Sequence, residues 1–459
     1  MLFSSLTFLY YFLPAVLILY FIVPDRWKNL VLLTASLLFY GWGEPKYVAL
    51  MLLTITLFYL CGLAINRWPQ WKRAMLVFSV GMGAALLGIF KYADFAVTTV
   101  NGILRTEIPL LRLALPVGIS FYTFQCVSYA ADVYRGDAAP QRNFIAFGAY
   151  VTMFPQLIAG PIVRYADVAP ALSHRRYSRE DAALGLRRFL VGLGKKILLA
   201  NQLGAMTESY RASAEKTVLF AWLYAVAFLL QIYFDFSGYS DMAIGLGRIL
   251  GFRFPENFDY PYCSRSVTEF WRRWHMSLGN WFRDYVYIPL GGSRVSKAKW
   301  VRNILVVWML TGLWHGASWN FVLWGLVFAG LLMLEKWIPG LKKLPGSLGS
   351  VYVVFAVMLS FVLFNAESLP QAGEDIRSMF FLGGLPGVNG ESLYFLRSNL
   401  VLLTVSALGA TPLPRRLYER ISGRRVLAVL EPAALIALLA MCTAYLVDGS
   451  FNPFLYFRF

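Results

Sequence analysis

The sequence predicts an all-α protein that crosses a membrane several times. Hydrophobic residues make up 58% of its 459 residues and charged residues only 15%, whereas a soluble domain usually carries about 25% charged residues. The apolar residues come in long runs with few charges, as in membrane-spanning helices. The first 24 residues contain no charge. This stretch lacks the basic start of a cleavable signal peptide and predicts an uncleaved first helix.

The apolar runs set the order of the elements. They lie near residues 1–23, 29–42, 46–65, 73–93, 111–130, 143–163, 184–206, 217–236, 239–251, 300–314, 317–338, 349–365, 394–411 and 426–447. Several are shorter than the roughly 20 residues that a bilayer requires, so we expect about ten to twelve spans, with the rest re-entrant or interfacial. The sequence predicts one membrane domain over 1–459, with N-terminal helices at 1–110, a core at 111–340 and C-terminal helices at 341–459.

Two apolar runs contain helix-breaking residues. Pro116 and Gly118 interrupt one run, and Pro155, Gly160 and Pro161 interrupt another. Non-helical backbone at membrane depth is tolerated only where protein buries it or where it lines a wet cavity. An ordinary kink explains either break alone, but two breaks in one chain favour an internal cavity.

The distribution of charge predicts the orientation in the membrane. The formal net charge is +17, and cytoplasmic loops of membrane proteins collect Lys and Arg. The basic loops near Arg26 and near Arg67 are separated by two apolar runs and are therefore expected on the same side of the membrane. If that side is the cytoplasm, the N-terminus lies outside it. The Arg-rich stretches 164–188 and 252–302 are then expected at the cytoplasmic face. An anionic ligand is a second explanation for the positive charge.

Histidine is scarce, with three in the chain, and imidazole is the natural proton acceptor near neutral pH. His315 lies between two apolar runs, with Gly312 and Gly316 close by. An ionisable group there is costly and by default indicates function, while the glycines permit close approach of backbone or ligand. The alternative is a neutral histidine that hydrogen-bonds to a neighbouring helix.

The other two histidines have different surroundings. Read as one helix, residues 271–285 predict an amphipathic helix at the membrane interface. Its apolar face comprises Trp271, Trp274, Leu278, Trp281 and Tyr285. His275, in this segment, is either part of an interfacial anchor or a second functional polar group on the access path to His315. His174 lies in a polar loop and is expected to be solvated surface.

Other catalytic patterns are missing from the sequence. There is no Gly-x-Ser-x-Gly motif and no metal-binding spacing of cysteine and histidine, so we expect neither a metal nor a permanently bound cofactor. The four scattered cysteines are expected to be free packing residues. Asp235 and Asp241 lie at the end of an apolar run, and the two lysines Lys195 and Lys196 are their expected partners in structural charge pairing, with a proton path as the alternative.

These residues alone leave the function open. A histidine base with a basic entrance fits group transfer from an anionic donor such as an acyl-CoA. The same features fit an anion transporter almost as well.

Seven sequence motifs give the chain a resemblance to a known family. They are FPQLIAGPIVR (154–164), YFDFSGYSDMA (233–243), EFWRRWHMSL (269–278), WFRDY (281–285), YIPLGGSR (287–294), WHGA (314–317) and NPFLYFRF (452–459). Together they resemble the membrane-bound O-acyltransferase family, MBOAT, in particular the branch that contains the alginate O-acetyltransferase membrane subunit. Relatives that handle D-alanine for teichoic acids are similar around both histidines, but the IPLGGSR run favours the polysaccharide branch.

The resemblance implies a fold and a site. The family fold is a ring of tilted transmembrane helices around a central funnel, with re-entrant and interfacial helices. The resemblance makes His315 the catalytic histidine, acting as a base or as an acyl carrier, and His275 a second functional histidine. A cluster of arginines is expected to hold the phosphates of acetyl-CoA, the implied donor. Its members are Arg164, Arg272, Arg273, Arg283 and Arg294.

The resemblance also implies the reaction and its setting. The expected function is to take acetyl from cytoplasmic acetyl-CoA and pass it across the bacterial inner membrane for O-acetylation of an extracytoplasmic polysaccharide such as alginate. Expected partners are an SGNH-hydrolase-like acetyltransferase outside the cytoplasm, a polysaccharide synthesis or secretion complex and membrane lipid, but no nucleic acid. The alternatives are D-alanyl or other acyl transfer to a cell-wall polymer, an acyl-group transporter without chemistry, and a passive scaffold of a secretion complex.

Overall fold

The computed structural model describes residues 1–158 and 160–449. Within these ranges the chain forms 21 α-helices, joined by short 3-10 and π-helical segments, and no strand. The predicted all-α class is therefore confirmed. The motif at 452–459, which contributed to the resemblance, lies outside the described residues.

The chain divides into two compact units, each described here by itself. One comprises Met1–Phe189 and Met242–Pro255, and the other comprises Leu190–Asp241 and the described residues from Glu256 onward. The single domain expected over 1–459, with its boundaries near 110 and 340, stays a prediction.

The first unit is built mainly from the N-terminal helices. They are α1 (Leu13–Ile22), α2 (Lys28–Gly41), α3 (Val48–Arg67), α4 (Lys72–Leu87), α5 (Ala93–Leu104), α6 (Ile119–Arg135), α7 (Phe144–Thr152), α8 (Phe154–Leu157), α9 (Tyr165–Ser173) and most of α10 (Arg179–Gly194). Aromatic side chains such as Phe39, Phe58 and Phe147 are fully buried among them. Rings of this size contribute much of the packing in the unit.

The second unit contains both buried histidines. Its helices are α11 (Asn201–Ala212), the larger part of α12 (Val218–Ile249), α13 (Val267–Arg273), α14 (Met276–Phe282), α15 (Lys297–His315), α16 (Trp319–Trp337), α17 (Gly346–Asn365), α18 (Leu369–Met379), α19 (Gly390–Gly409), α20 (Leu413–Ile421) and α21 (Arg425–Asp448). Phe228 of α12, Trp324 of α16 and Phe361 of α17 belong to one buried hydrophobic cluster. Trp324 of this cluster lies against the candidate site described below.

The expectation of several membrane spans is confirmed. Among the described residues, seven helices or joined helical segments are long and apolar enough to cross a membrane. They are Pro45–Arg67, Pro69–Leu104, Val218–Ile249, Trp319–Trp337, Gly346–Asn365, Gly390–Gly409 and Val426–Asp448. The number is below the expected ten to twelve because other apolar helices are short, as α2 is, or carry polar residues, as α15 does.

Both predicted interruptions of helical structure are present. Residues 105–118 are irregular, and α6 begins only at Ile119. At the second interruption, Met153 separates α7 from the single turn α8, and residues 160–164 are again non-helical. Met153, Phe154 and Val163 are fully buried. Protein thus shelters this irregular backbone, as an interruption within an apolar run requires.

The prediction of a single helix over 271–285 is wrong. Helix α13 ends at Arg273 and α14 begins at Met276, while His275 between them adopts the left-handed conformation, with φ 43° and ψ 52°. The helical periodicity of the tryptophans continues across this break and therefore conceals it. With only 1% exposure, His275 does not lie on the surface of an interfacial anchor.

Two glycines allow α15 and α16 to pack with their backbones in contact. A Cβ on Gly312 would overlap the carbonyl oxygen of Phe321, and a Cβ on Gly325 would overlap that of Trp308. The predicted close approach of backbone at Gly312 is therefore confirmed. Small residues at a helix interface permit close van der Waals packing, which drives helix association in lipid. The resulting hairpin carries His315 at its bend.

Candidate active site

His315 is the last residue of α15, just before the turn into α16. Its side chain is buried. Three aromatic rings meet the imidazole nearly edge-on, with centroids 5.0 Å away for Trp314, 5.0 Å for Trp324 and 5.2 Å for Phe364. These rings leave His315 only 7% exposed, and burial of this kind strengthens electrostatic interactions with a reacting group.

His275 is held in the break between α13 and α14. Its imidazole meets the ring of Phe236 of α12 at 4.5 Å between centroids, with an angle of 87° between the planes. The ring of Trp314 lies 5.7 Å away. Because Trp314 also contacts His315, one indole lies against both imidazoles, and the structure brings the two predicted histidines into one site.

The surroundings of His275 favour its neutral form. His275 lies outside the seven spanning helices, and burial, followed by the neighbouring His315, lowers its pKa well below the ordinary value of 6.5. Both causes penalise the charged imidazolium. At neutral pH His275 therefore keeps a lone pair on one ring nitrogen, as a general base requires.

The side chain of Asn257 contacts both His275 and Ser277 at the break between α13 and α14. Its Oδ1 lies 3.2 Å from Nδ1 of His275 and accepts from the backbone N–H and the hydroxyl of Ser277, at 3.2 and 2.9 Å. Its Nδ2 donates to Oγ of Ser240 at 3.0 Å. Asn257 is 1% exposed, so a buried amide connects α12 to the segment that carries His275.

A second buried group fixes the start of α13. The carboxylate of Glu335, on α16, accepts from the backbone N–H groups of Val267 and Thr268, at 2.5 and 3.0 Å, and from the hydroxyl of Thr268 at 2.6 Å. A carboxylate at a helix N-terminus satisfies backbone donors and interacts favourably with the helix dipole. Helix α16 thus positions both histidine-bearing segments, because it packs against α15 and caps α13.

The predicted pairing of acidic and basic residues is confirmed. Nζ of Lys195 lies 2.7 Å from a carboxylate oxygen of Asp241, and Nζ of Lys196 lies 2.5 Å from one of Asp235. The side chains of Lys196 and Asp235 are each 3% exposed. Each pair joins the helix after Gly194 to α12, and removal of one partner would leave a buried charge unpaired at a large cost in free energy. They are the structural contacts that the sequence indicated.

The five arginines expected to hold the donor lie in different surroundings. Arg164 is half-buried at the start of α9, in the first unit, and the other four belong to the second unit. Arg273 forms an ion pair with Glu269 at 2.7 Å, and Arg283 forms one with Asp284 at 2.6 Å. The remaining two, Arg272 and Arg294, are exposed. Donor binding by this set stays a prediction.

Two further sequence expectations are confirmed outside this site. His174 is exposed in the loop after α9. All four cysteines are free thiols, and Cys61, Cys126 and Cys442 are buried.

Sequence reasoning missed the residues that support the histidines. Asn257 precedes His275 by 18 positions, and Glu335 lies 68 positions after the Val267 that it caps. No helical or turn spacing connects side chains over such separations. Correlated substitutions between these residues and the histidine segment, in an alignment of many related sequences, are the signal able to find them. Such correlations report contacts in space, which the periodicity of a single sequence does not contain.

The fold and the site define a membrane-embedded transferase. Residues 137–364 match the model of MBOAT, the membrane-bound O-acyltransferase family, and this range includes both buried histidines. The chain belongs to this family, and it is an O-acyltransferase.

Individual relatives agree with this assignment. The chain is 38% identical, over the full length of both proteins, to the probable alginate O-acetylase AlgI of Azotobacter vinelandii. It is 33% identical to a peptidoglycan O-acetyltransferase of Helicobacter pylori, covering 86% of this chain and 82% of the relative. A teichoic acid D-alanyltransferase of Bacillus subtilis is 29% identical over 54% of this chain and 67% of its own.

Proposed function

We propose that the protein takes acetyl groups from cytoplasmic acetyl-CoA and passes them across the bacterial inner membrane for O-acetylation of an extracytoplasmic polysaccharide such as alginate. The observation that carries this proposal is the buried pair of imidazoles, His315 and His275, in one site of an O-acyltransferase. The full-length similarity to a probable alginate O-acetylase supports an acetyl group and a polysaccharide.

The chemistry that we propose needs one base and one leaving thiolate. A hydroxyl oxygen of the acceptor attacks the thioester carbonyl carbon while His315 takes the hydroxyl proton. The carbon–sulfur bond then breaks, and the proton passes to the departing CoA thiolate. In the alternative sequence, the imidazole of His315 attacks first and carries the acetyl group before the hydroxyl takes it. His275, kept neutral by its surroundings, is the second base available to either sequence.

Donor binding follows from the charge of CoA. Its phosphates are anionic, and exposed guanidinium groups such as those of Arg272 and Arg294 suit phosphate oxygens in geometry and charge. The acetyl group arrives with the substrate, so the proposal requires no permanently bound cofactor and no metal.

The acceptor is expected outside the cytoplasm. We propose that a partner of the SGNH-hydrolase-like acetyltransferase type receives the acetyl group there and transfers it to the polymer, within a polysaccharide synthesis or secretion complex. The thioester is in the cytoplasm and the sugar is outside it, so no single soluble enzyme reaches both. The proposed arrangement connects the two sides.

Replacing the central histidine tests the proposal. His315→Ala is expected to abolish polymer acetylation, measured as ester-bound acetate released from the polymer by mild base, while the variant inserts at wild-type level. His174→Ala, which changes an exposed loop histidine, is the matched control and should retain acetylation. Full acetylation by the His315 variant would exclude its proposed role.

The similarity to a teichoic acid D-alanyltransferase supports a second candidate. Membranes that contain the protein can be supplied with acetyl-CoA or with a D-alanyl thioester. We expect consumption of acetyl-CoA that depends on His315. Consumption of the D-alanyl thioester alone would favour D-alanyl transfer. Labelled acetyl captured on the wild-type protein and lost in His315→Ala would identify the carrier sequence and exclude transport without chemistry.

A further inference from the structure

We propose that Asn257 is a positioning residue that fixes His275 as the tautomer protonated on Nδ1, so that Nε2 carries the lone pair. The statement about the tautomer stands on hydrogen-bond geometry. Its consequence for catalysis rests on the proposed function.

The hydrogen bonds of Asn257 determine which way its amide points. The backbone N–H of Ser277 can only donate, so the Asn257 atom 3.2 Å from it must be the oxygen. The opposite end of the amide then places its NH₂ group toward Oγ of Ser240, at 3.0 Å, where a hydroxyl can accept. The two contacts agree, and they exclude the flipped amide.

The orientation of the amide decides the proton on His275. The same Oδ1 lies 3.2 Å from Nδ1 of His275, and an amide oxygen offers only lone pairs. A contact between two lone pairs would be repulsive, so Nδ1 carries the hydrogen and donates it. In a neutral imidazole the other nitrogen, Nε2, is then the basic atom.

Asn257 also supports the unusual backbone at His275. A residue other than glycine rarely adopts positive φ, and the conformation persists where surrounding contacts impose it. The carbonyl oxygen of Asn257 accepts from the backbone N–H of Met276 at 3.0 Å, while its side chain holds Ser277. Main chain and side chain of one residue therefore set both the turn and the ring nitrogen that receives a proton.

Nitrogen-15 NMR of histidine-labelled protein in lipid bilayers tests the tautomer directly. The chain has only three histidines, and the signals lost in His275→Asn identify those of His275. We expect wild-type His275 to show a protonated Nδ1 and a non-protonated Nε2. A protonated Nε2 in the neutral wild-type ring would overturn the proposal without any variant of Asn257.

Three variants then separate positioning from general support of the fold. Asn257→Leu has nearly the same size but no acceptor, so a population of His275 protonated on Nε2 should appear. Ser240→Ala removes a different partner of the same amide and should leave the wild-type tautomer. In Asn257→Asp, the hydrogen-bond donors of Ser277 and the N-terminus of α14 stabilise the ionised form of the new carboxyl group. His275, whose neighbouring titratable group is His315, should then become protonated at a higher pH than in wild type.

An unchanged tautomer in Asn257→Leu, or an unchanged titration of His275 in Asn257→Asp, would overturn the proposal. The aspartate variant keeps an acceptor and serves if the leucine variant does not fold. With acetyl-CoA as the donor, Asn257→Leu should lower kcat by about 100-fold, the scale of a single proton-transfer group, with little change in KM. Failure of His315→Ala to stop acetylation would overturn the proposed function and leave the NMR result standing.

Discussion

At the scale of single residues, the site contains two imidazoles with different supports. His275 has a hydrogen-bond acceptor of its own, the Oδ1 of Asn257, in addition to aromatic contacts. His315 is surrounded by the rings of Trp314, Trp324 and Phe364. The indole N–H of Trp324 is buried and has no hydrogen-bond partner among the described residues. This buried N–H group thus belongs to a ring that lies against the imidazole of His315.

The depressed pKa of His275 makes stability depend on pH. The histidine is neutral in the folded protein but takes up a proton in the unfolded chain as the pH falls through about 6.5. The unfolded state then binds more protons, so the free energy of unfolding decreases with falling pH in this window. Between pH 7.5 and 5.5, the free energy of unfolding of the wild type should therefore decrease more than that of His275→Gln, which lacks the titrating imidazole.

Thermal unfolding in detergent measures this difference. The melting temperature of the wild type should fall further on acidification than that of His275→Gln. His174→Gln, which alters the exposed histidine, should follow the wild type. Equal acid sensitivity of wild type and His275→Gln would show that burial does not keep His275 neutral.

At the scale of elements, the positions of the histidines depend on how α16 is held. It packs against α15 through backbone contacts at Gly312 and Gly325, and its Glu335 caps α13. One helix therefore sets the distance between the segment that ends in His315 and the segment that leads to His275. A small displacement of α16 therefore moves both histidine-bearing segments at once.

Two glycines on α16 offer a matched comparison. Gly325→Ala should destabilise the protein and lower acetylation, because the added methyl overlaps the carbonyl oxygen of Trp308 and forces α15 and α16 apart. A Cβ on Gly330, in the same helix, meets nothing within 4 Å. Gly330→Ala should therefore be neutral or raise the free energy of unfolding by about 0.5–1 kcal/mol, the usual difference between glycine and alanine inside a helix.

Melting temperature and acetylation are the two measurements for this pair. A normal melting temperature and normal activity for Gly325→Ala would show that the contact with Trp308 is not needed. Destabilisation by both variants to the same extent would assign the effect to alanine in this helix and not to the packing of the hairpin.

The sequence predicted the elements well but missed the contacts between distant segments. Long apolar runs and embedded prolines indicated the spans and the two interruptions, because both signals are local. The break at His275 was missed because its cause is not local. The contacts that hold it come from Asn257, 18 positions before His275, while the tryptophan spacing on either side still fits one helix. Recognition of the WHG and WHM regions found both histidines, but it contained no information on the residues that orient them.

At the scale of the whole molecule, orientation in the membrane determines which substrate meets which face. Positive charge predicts that the loop before Pro69–Leu104 lies in the cytoplasm and that the residues after this span lie outside. Gln70 and Thr106 are exposed at its two ends. They therefore offer a pair of positions that should differ in accessibility.

Cysteine labelling tests this orientation. In intact cells a membrane-impermeant maleimide should label Thr106→Cys but not Gln70→Cys, and both should react once the membrane is opened. The native cysteines Cys61, Cys126 and Cys442 are buried, and the unmodified chain controls for Cys263. Labelling of Gln70→Cys alone in intact cells would reverse the orientation and place the Arg-rich stretches outside the cytoplasm.

The ring of Trp314 that contacts both imidazoles also gives the site an optical signal. A protonated imidazole quenches the emission of a neighbouring indole, whereas a neutral one does so weakly. The difference between the fluorescence of wild type and of Trp314→Phe therefore follows the charge on the two histidines. Recorded while a thioester is added, this difference reports any change in the charge of the two imidazoles, in unlabelled protein.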